Sequence, residues 1–303
     1  MTLGYTDQLL ILACDHRGSF QKKLLGIEGT PSPEEEARIR GAKRVIFDGF
    51  RHARDANGVA GMGILIDEQF GADPAREARE LGVVLAMPVE KSGQNEFDFE
   101  YGDQFGEHIL AFDPSFSKVL VRYNAEGDAE MNGRQAERLA RLANWLHDND
   151  RKFLFELLVP AEPEQLERVG GDTDRYDREL RPDLMIAAIG ELQAAGAEPD
   201  VWKIEGLDER DDCVRVAEAA RAGGRNDVSC VVLGRGGDKE KVAGWLRTGA
   251  GVPGYIGFAV GRTIWWDPLE AWLAGGSVDE AAETIAANYR RLIDVYTGAA
   301  AAA

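Results

Sequence analysis

Eight short runs rich in Val, Ile, Leu and Phe alternate with longer segments of helical period, and few folds satisfy that rhythm. The runs cover residues 9–15, 63–67, 83–89, 118–123, 153–159, 201–205, 228–233 and 255–260. Helical segments fall near 75–81, 134–148, 181–195, 208–222, 238–248 and 278–296, and Pro33-Glu34-Glu35-Glu36 opens another with proline and acids in its first turn. Repeated strand-then-helix units in a chain of 303 residues predict a single (β/α)8 barrel over residues 1–303. A doubly wound open sheet is the alternative, but no GxGxxG follows the first run. The small-residue tail, 298–303, is expected to fray. The irregular stretch 92–113 is read either as a solvated loop or as a lid, with Glu96, Asp98, Glu100 and Asp103 interleaved with Phe97, Phe99 and Tyr101.

Composition narrows the partners. A formal net charge of −18 argues against nucleic acid and anionic membrane surfaces, which require clustered cations. No apolar run reaches the roughly 18 residues needed to cross a bilayer. The first seven residues show no basic segment leading into an apolar one, so no secretory signal is expected. Three widely spaced cysteines, Cys14, Cys213 and Cys230, suit reduced thiols and a cytoplasmic location. A homo-oligomer is compatible with the chain.

In a barrel the chemistry lies where strands end. Here nearly every end is polar: Asp15-His16-Arg17-Gly18, Asp67-Glu68, Glu90-Lys91-Ser92-Gly93, Lys118 with Arg122 and Asn124 at alternate positions, Glu156, Lys203, Gly234-Arg235-Gly236-Gly237 and Gly261-Arg262-Thr263. Lys203 stands out, because an ammonium inside an apolar strand is costly unless paired or deprotonated. An ordinary lysine, with a pKa near about 10.4, is almost wholly charged at neutral pH. Burial and a second cation favour the free amine, which attacks carbonyls and forms imines. Lys118 is the expected second cation, and Glu156, in apolar surroundings, is expected to have a raised pKa and to shuttle protons. Alternatively, Lys203 pairs with Glu205 or Glu156, and Lys118 with Asp15 or Glu156. Asp15 orients substrate hydroxyls or shares the proton transfer.

The glycine loop 234–237 and the pair Gly261-Arg262 are candidate phosphate contacts, with Arg235 and Arg262 supplying charge. His16, Arg17, Asp67, Glu68, Lys91 and Arg122 are candidate substrate contacts, Asp67 and Glu68 for hydroxyl groups. No metal site is expected: His52, His108 and His147 fall in helices or loops, and no His-carboxylate spacing suits zinc. Ser19 and Ser92 lack a histidine partner for nucleophilic catalysis. Trp265-Trp266 is read as core or interface packing.

The motifs Asp15-His16-Arg17-Gly18, Val89-Glu90-Lys91-Ser92-Gly93, Phe155-Glu156-Leu157, Trp202-Lys203-Ile204-Glu205 and Val260-Gly261-Arg262-Thr263-Ile264-Trp265 together resemble a class I aldolase-like domain of inositol catabolism. That domain is attributed to 2-deoxy-5-keto-gluconate 6-phosphate aldolase, and the likeness spans residues 7–297. The chain is more distantly similar to tagatose 1,6-bisphosphate aldolase. The resemblance implies Lys203 as the imine-forming lysine, Glu156 as the proton carrier, Lys118 and Asp15 beside them, and Arg262 on phosphate. It implies no cofactor other than the covalent imine, a phosphorylated keto sugar acid as substrate, and action alone or linked to a separate sugar kinase. Two departures from the tagatose enzyme, His16 beside the aspartate and a Gly-Arg-Gly-Gly loop after strand 7, fit a carboxylate at the far end of the substrate. A tagatose-type ketose bisphosphate aldolase and a non-catalytic sugar-phosphate-binding barrel are the alternatives.

Overall fold

The computed structural model describes residues 2–302. Strands β1 (Leu9–Ala13), β2 (Met62–Leu65), β3 (Val84–Pro88), β4 (Phe116–Arg122), β5 (Lys152–Leu158), β6 (Val201–Glu205), β7 (Ser229–Leu233) and β8 (Tyr255–Val260) pair in sequence order. All pairs are parallel, and β8 returns to β1, giving the closed single (β/α)8 barrel that the alternation predicts. No sheet edge is left open.

Strand alternation sorts side chains between two cores. Leu9, Ile11, Ala13, Leu65, Ala86, Phe116, Leu154, Val201, Val231 and Ala259 fill the barrel interior. Their odd-even neighbours, such as Phe153, Phe155, Trp202 and Ile204, pack outward under the helices. The same parity carries Asp15, Lys118, Glu156 and Lys203 inward, one layer above that apolar plug. The interior below them is apolar, so the charges gather at the carboxyl end.

Helix Pro33–Asn57 starts with a reciprocal cap: Ser32 Oγ accepts from the Glu35 amide at 3.3 Å, and the Glu35 carboxylate accepts from the Ser32 amide at 2.8 Å. It lies against helix Val278–Ala302, and Gly49 makes that approach possible, since a Cβ there would sit 2.5 Å from Ile285 Cγ2. The tail expected to fray from residue 298 instead continues this helix through Ala302. Alanine-rich sequence has high helix propensity, and the preceding turns are already anchored by buried Tyr289, Ile293 and Tyr296. Residue 303 lies outside the described residues.

The stretch 92–113 is also more ordered than a solvated loop. An isolated bridge joins Glu90 and Phe99, and helix Phe105–Phe112 follows. Phe97, Phe99 and Phe105 are buried, with Trp145 edge-on to Phe105. Its phenylalanines point into the core while Asp98 and Asp103 face outward and Glu100 turns in to Arg17 at 2.9 Å, an alternation that charge alone concealed. Trp265 is fully buried and donates from Nε1 to the Ala13 carbonyl at 2.9 Å, whereas Trp266 is only partly covered. The three cysteines are buried and free. Among the described residues no helix is long and apolar enough to cross a membrane.

Candidate active site

A cavity of 390 Å³ opens at the carboxyl ends of the strands. Its floor is a charge cluster built from five strands. In the parallel register Glu156 of β5 lies beside Lys203 of β6 and Leu120 of β4. Lys203 is 2% exposed and Lys118 is 1% exposed. Glu156 Oε2 lies 2.9 Å from Lys203 Nζ and 2.9 Å from Lys118 Nζ, so the two ammonium groups are at most twice that distance apart. Lys118 is also held by Asp15 Oδ2 at 2.7 Å and Glu90 Oε1 at 2.9 Å.

The electrostatics follow from that packing. Burial works against an ionised Asp15, but Lys118 and then Lys203 outweigh it and hold the carboxyl well below the usual range. Burial likewise favours a neutral Glu156, yet the same two lysines bring its pKa below the ordinary value. This corrects the expectation of a raised Glu156: its strand is apolar, but its carboxylate faces two ammonium groups. For Lys118, burial opposes charge while Asp15, Glu156 and Glu90 overcome it and push the pKa up, so this side chain remains a cation. Burial raises Glu90, with Lys118 and Arg17 acting the other way. Its Oε2 is buried and without a hydrogen-bond partner among the described residues. His16, 3.9 Å from Asp15, is brought down to about 4, chiefly by burial, with Lys43, Arg262 and Lys203 adding to the effect against Asp15.

Glu90 was not singled out from sequence as a reacting group, although parity reveals it. Pro88 pairs with Lys118 across β3 and β4, and Glu90 lies two residues beyond Pro88 on the same face.

Across the cavity, the ends of β7 and β8 bring glycines and an arginine together. Helix Arg262–Leu273 begins at Gly261 without a side-chain cap, and the Ile264 amide of its first turn donates to the Gly261 carbonyl at 2.8 Å. Gly234, Gly236, Gly261, Arg262 and Thr263 line the cavity there, with Lys23 at the rim. Gly236 has φ +73°, and a Cβ on it would come within 2.4 Å of Arg262 Nη2, so the arginine lies directly over that loop. At the opposite wall stand Lys91 and Arg122, Arg122 donating to the Gln94 carbonyl at 2.8 Å. Arg17 also lines the cavity, tied to Glu100 at 2.9 Å and to the Glu90 carbonyl at 2.6 Å.

Three expected contacts, Asp67, Glu68 and Gly237, sit elsewhere. Asp67 is fully buried, accepts from the Phe70 amide at 2.8 Å as a helix cap, and pairs with Lys43 at 2.6 Å. Glu68 pairs with His108 at 2.9 Å, under the segment that follows β3. Neither reaches the cavity, because the chain turns outward into a helix immediately after β2. Arg235 does line the cavity, but its guanidinium is taken up by Asp177 at 2.6 Å and Glu205 at 2.9 Å, and its carbonyl accepts from Arg262 at 3.3 Å. Gly237 lies on the outer side, where its carbonyl accepts from Thr263 Oγ1 at 3.1 Å.

Among the described residues no group of three or more His, Cys, Asp and Glu side chains is arranged to hold a metal ion. The carboxylates that do converge close on the Lys118 ammonium instead. The arrangement can therefore hold a lysine against an ionised carboxylate, surround it with fixed charges, and seat an anion across the cavity.

The fold is shared with solved aldolases. The chain is similar to fructose-bisphosphate aldolase from Plasmodium falciparum, with TM-score 0.67 and 14% identity over 94% of this chain and 90% of that one. A Schiff-base-forming fructose-1,6-bisphosphate aldolase gives TM-score 0.56 and 16% identity, covering 94% of each chain. Fructose-bisphosphate aldolase from Slackia heliotrinireducens DSM 20476 gives TM-score 0.58 and 14% identity over 97% and 86%. At such identities the likeness speaks for the fold. No curated protein sequence matches the chain. A family described as uncharacterized protein conserved in bacteria matches residues 3–300, and the chain belongs to that family, DUF2090.

Proposed function

We propose that this chain is an imine-forming aldolase that cleaves a phosphorylated keto sugar acid, with 2-deoxy-5-keto-gluconate 6-phosphate as the preferred candidate. The observation that carries the reading is the buried Lys203 amine, 2.9 Å from an ionised Glu156 at the floor of a cavity with cations on two opposite walls. The shared barrel with solved aldolases is consistent with it.

Lys203 passes a proton to the neighbouring carboxylate and its nitrogen adds to the C5 ketone; loss of water leaves the imine. Glu156 or Asp15 then takes the proton of the C3 hydroxyl. The C3–C4 bond breaks, its electron pair moves towards the imine nitrogen, and malonate semialdehyde leaves. The resulting enamine is protonated at C4, and water hydrolyses the imine to release dihydroxyacetone phosphate and free Lys203. Lys118, held cationic by three carboxylates, steadies the negative charge around the reacting atoms. Arg262 and the uncapped helix behind it hold the phosphate, while Arg122 and Lys91 face the substrate carboxylate.

Incubation with dihydroxyacetone phosphate and borohydride, followed by peptide mass spectrometry, tests the mechanism. A reduced adduct on Lys203, absent from Lys203→Met, is expected; no adduct, or one on another lysine, rejects it. Comparing turnover of the keto acid phosphate with that of ketose bisphosphates separates the preferred substrate from the bisphosphate reading, which the cations on both walls also suit. Binding of either with no turnover would make the chain a sugar-phosphate-binding barrel.

A further inference from the structure

Lys43 is a fully buried ammonium outside the barrel interior, on helix Pro33–Asn57. Its three N–H donors are all used. One goes to the carbonyl of Cys14, one to the carbonyl of His16 at 2.8 Å, and one to Asp67 Oδ2 at 2.6 Å. The Phe20 ring lies 5.1 Å away, closing the remaining side. The two carbonyls belong to the residues immediately before and after Asp15. Strand β1 ends at Ala13, and the last sheet bond is the Cys14 amide donating to the Leu65 carbonyl at 2.7 Å, so Asp15 keeps the inward direction of the strand while its backbone carbonyl neighbours are held by Lys43. Asp67, in turn, is locked to the start of helix Glu68–Glu80 by the Phe70 amide.

We infer that Lys43 is a positioning residue: from behind the barrel it fixes the backbone on both sides of Asp15 and thereby sets the Asp15–Lys118 contact inside the cavity. The inference rests on the imine-aldolase reading for its consequence in catalysis. Asp15 Oδ2 comes within 2.7 Å of Lys118, while His16 of its own loop stands 3.9 Å from the other carboxylate oxygen, beyond hydrogen-bond reach. A shift of about 1 Å in such a group is enough to cost orders of magnitude in rate. A lysine is suited to the task because a single nitrogen reaches three acceptors that converge from two strand ends.

Lys43→Met alone leaves Asp67 charged and unpaired in the core, which can unfold the chain. Lys43→Met/Asp67→Asn removes both charges and retains a side-chain oxygen for the Phe70 amide. The assay is deuterium uptake from D2O into dihydroxyacetone phosphate, followed by NMR, beside borohydride adduct formation on Lys203. If wild type gives neither adduct nor exchange, the aldolase reading itself fails. Given both in wild type, the double variant is expected to retain the adduct while exchange slows at least about tenfold. Its acid limb should also move to higher pD, because Asp15, faced by Lys118, Lys203, His16, Glu90 and Glu156, loses its close contact with Lys118. Unchanged exchange, or parallel loss of adduct and exchange with an unmoved acid limb, overturns the inference.

Discussion

Glu156 and Lys203 are register partners on adjacent strands, and their side chains meet at 2.9 Å with both buried. Because the same carboxylate oxygen touches Lys118 at the same distance, removing either lysine leaves Glu156 a counter-charge, whereas removing Glu156 leaves two ammonium groups facing each other. Lys203→Met is therefore expected to fold. Far-UV circular dichroism should match wild type, while borohydride trapping and turnover disappear.

Glu156→Gln keeps the shape and removes the proton acceptor. A positioned general base is worth roughly 10²–10⁴ in rate, and a loss of that order is expected. Because Lys203 remains, an adduct should still form, more slowly. A rate within about threefold of wild type would transfer the role to Asp15.

Acid stability separates the carboxyls by sign. Asp15 and Glu156 have folded pKa values below their ordinary ones, so each adds stability above its unfolded value of about 4, and that stability disappears as pH falls through the folded value. Asp15→Asn should flatten the decline in melting temperature below about pH 4. Glu90 runs the other way: with a raised folded pKa, its contribution is fully present below the unfolded value of about 4.3 and is lost as pH rises towards the folded one. Glu90→Gln should remove that loss, so its melting temperature relative to wild type should improve between about pH 4 and neutrality. Calorimetry across that range distinguishes the two slopes.

Arg262→Ala deletes the charged donor over the glycine loop. Hydrogen bonds to charged groups contribute about 1.5–3 kcal/mol, so KM for the phosphorylated substrate should rise roughly tenfold to a hundredfold. Arg235→Ala should act differently: it leaves buried Glu205 short of a partner, so the melting temperature should drop. Equal effects on KM from both would contradict the proposed division of roles.

Gly261→Ala would place a methyl 2.4 Å from the Ala13 carbonyl oxygen and 3.0 Å from His16 Cε1. That carbonyl is already held by Trp265 Nε1 at 2.9 Å and cannot give way cheaply. Overpacking of this kind costs about 1–3 kcal/mol, measurable by denaturant unfolding, and should also displace His16.

The barrel was legible in the chain because hydrophobic period is a local property. The alternation that buries Val201 inside and Trp202 outside also dictates that Lys203 faces inward, and the same count places Lys118, Glu156 and even Glu90. What a charged side chain finds on arrival is not local. Glu156 sits among Phe and Leu in sequence, yet two lysines from neighbouring strands decide its charge. Asp67 and Arg235 stand at strand ends like their neighbours, but Lys43, 24 positions away, draws the first out of the cavity, and Asp177, 58 positions from the second, takes up its guanidinium at the cavity wall. Strand direction depends on residues one and two apart. Ion pairing depends on which helices and strands closure of the barrel brings within 3 Å, and no spacing along the chain encodes that distance.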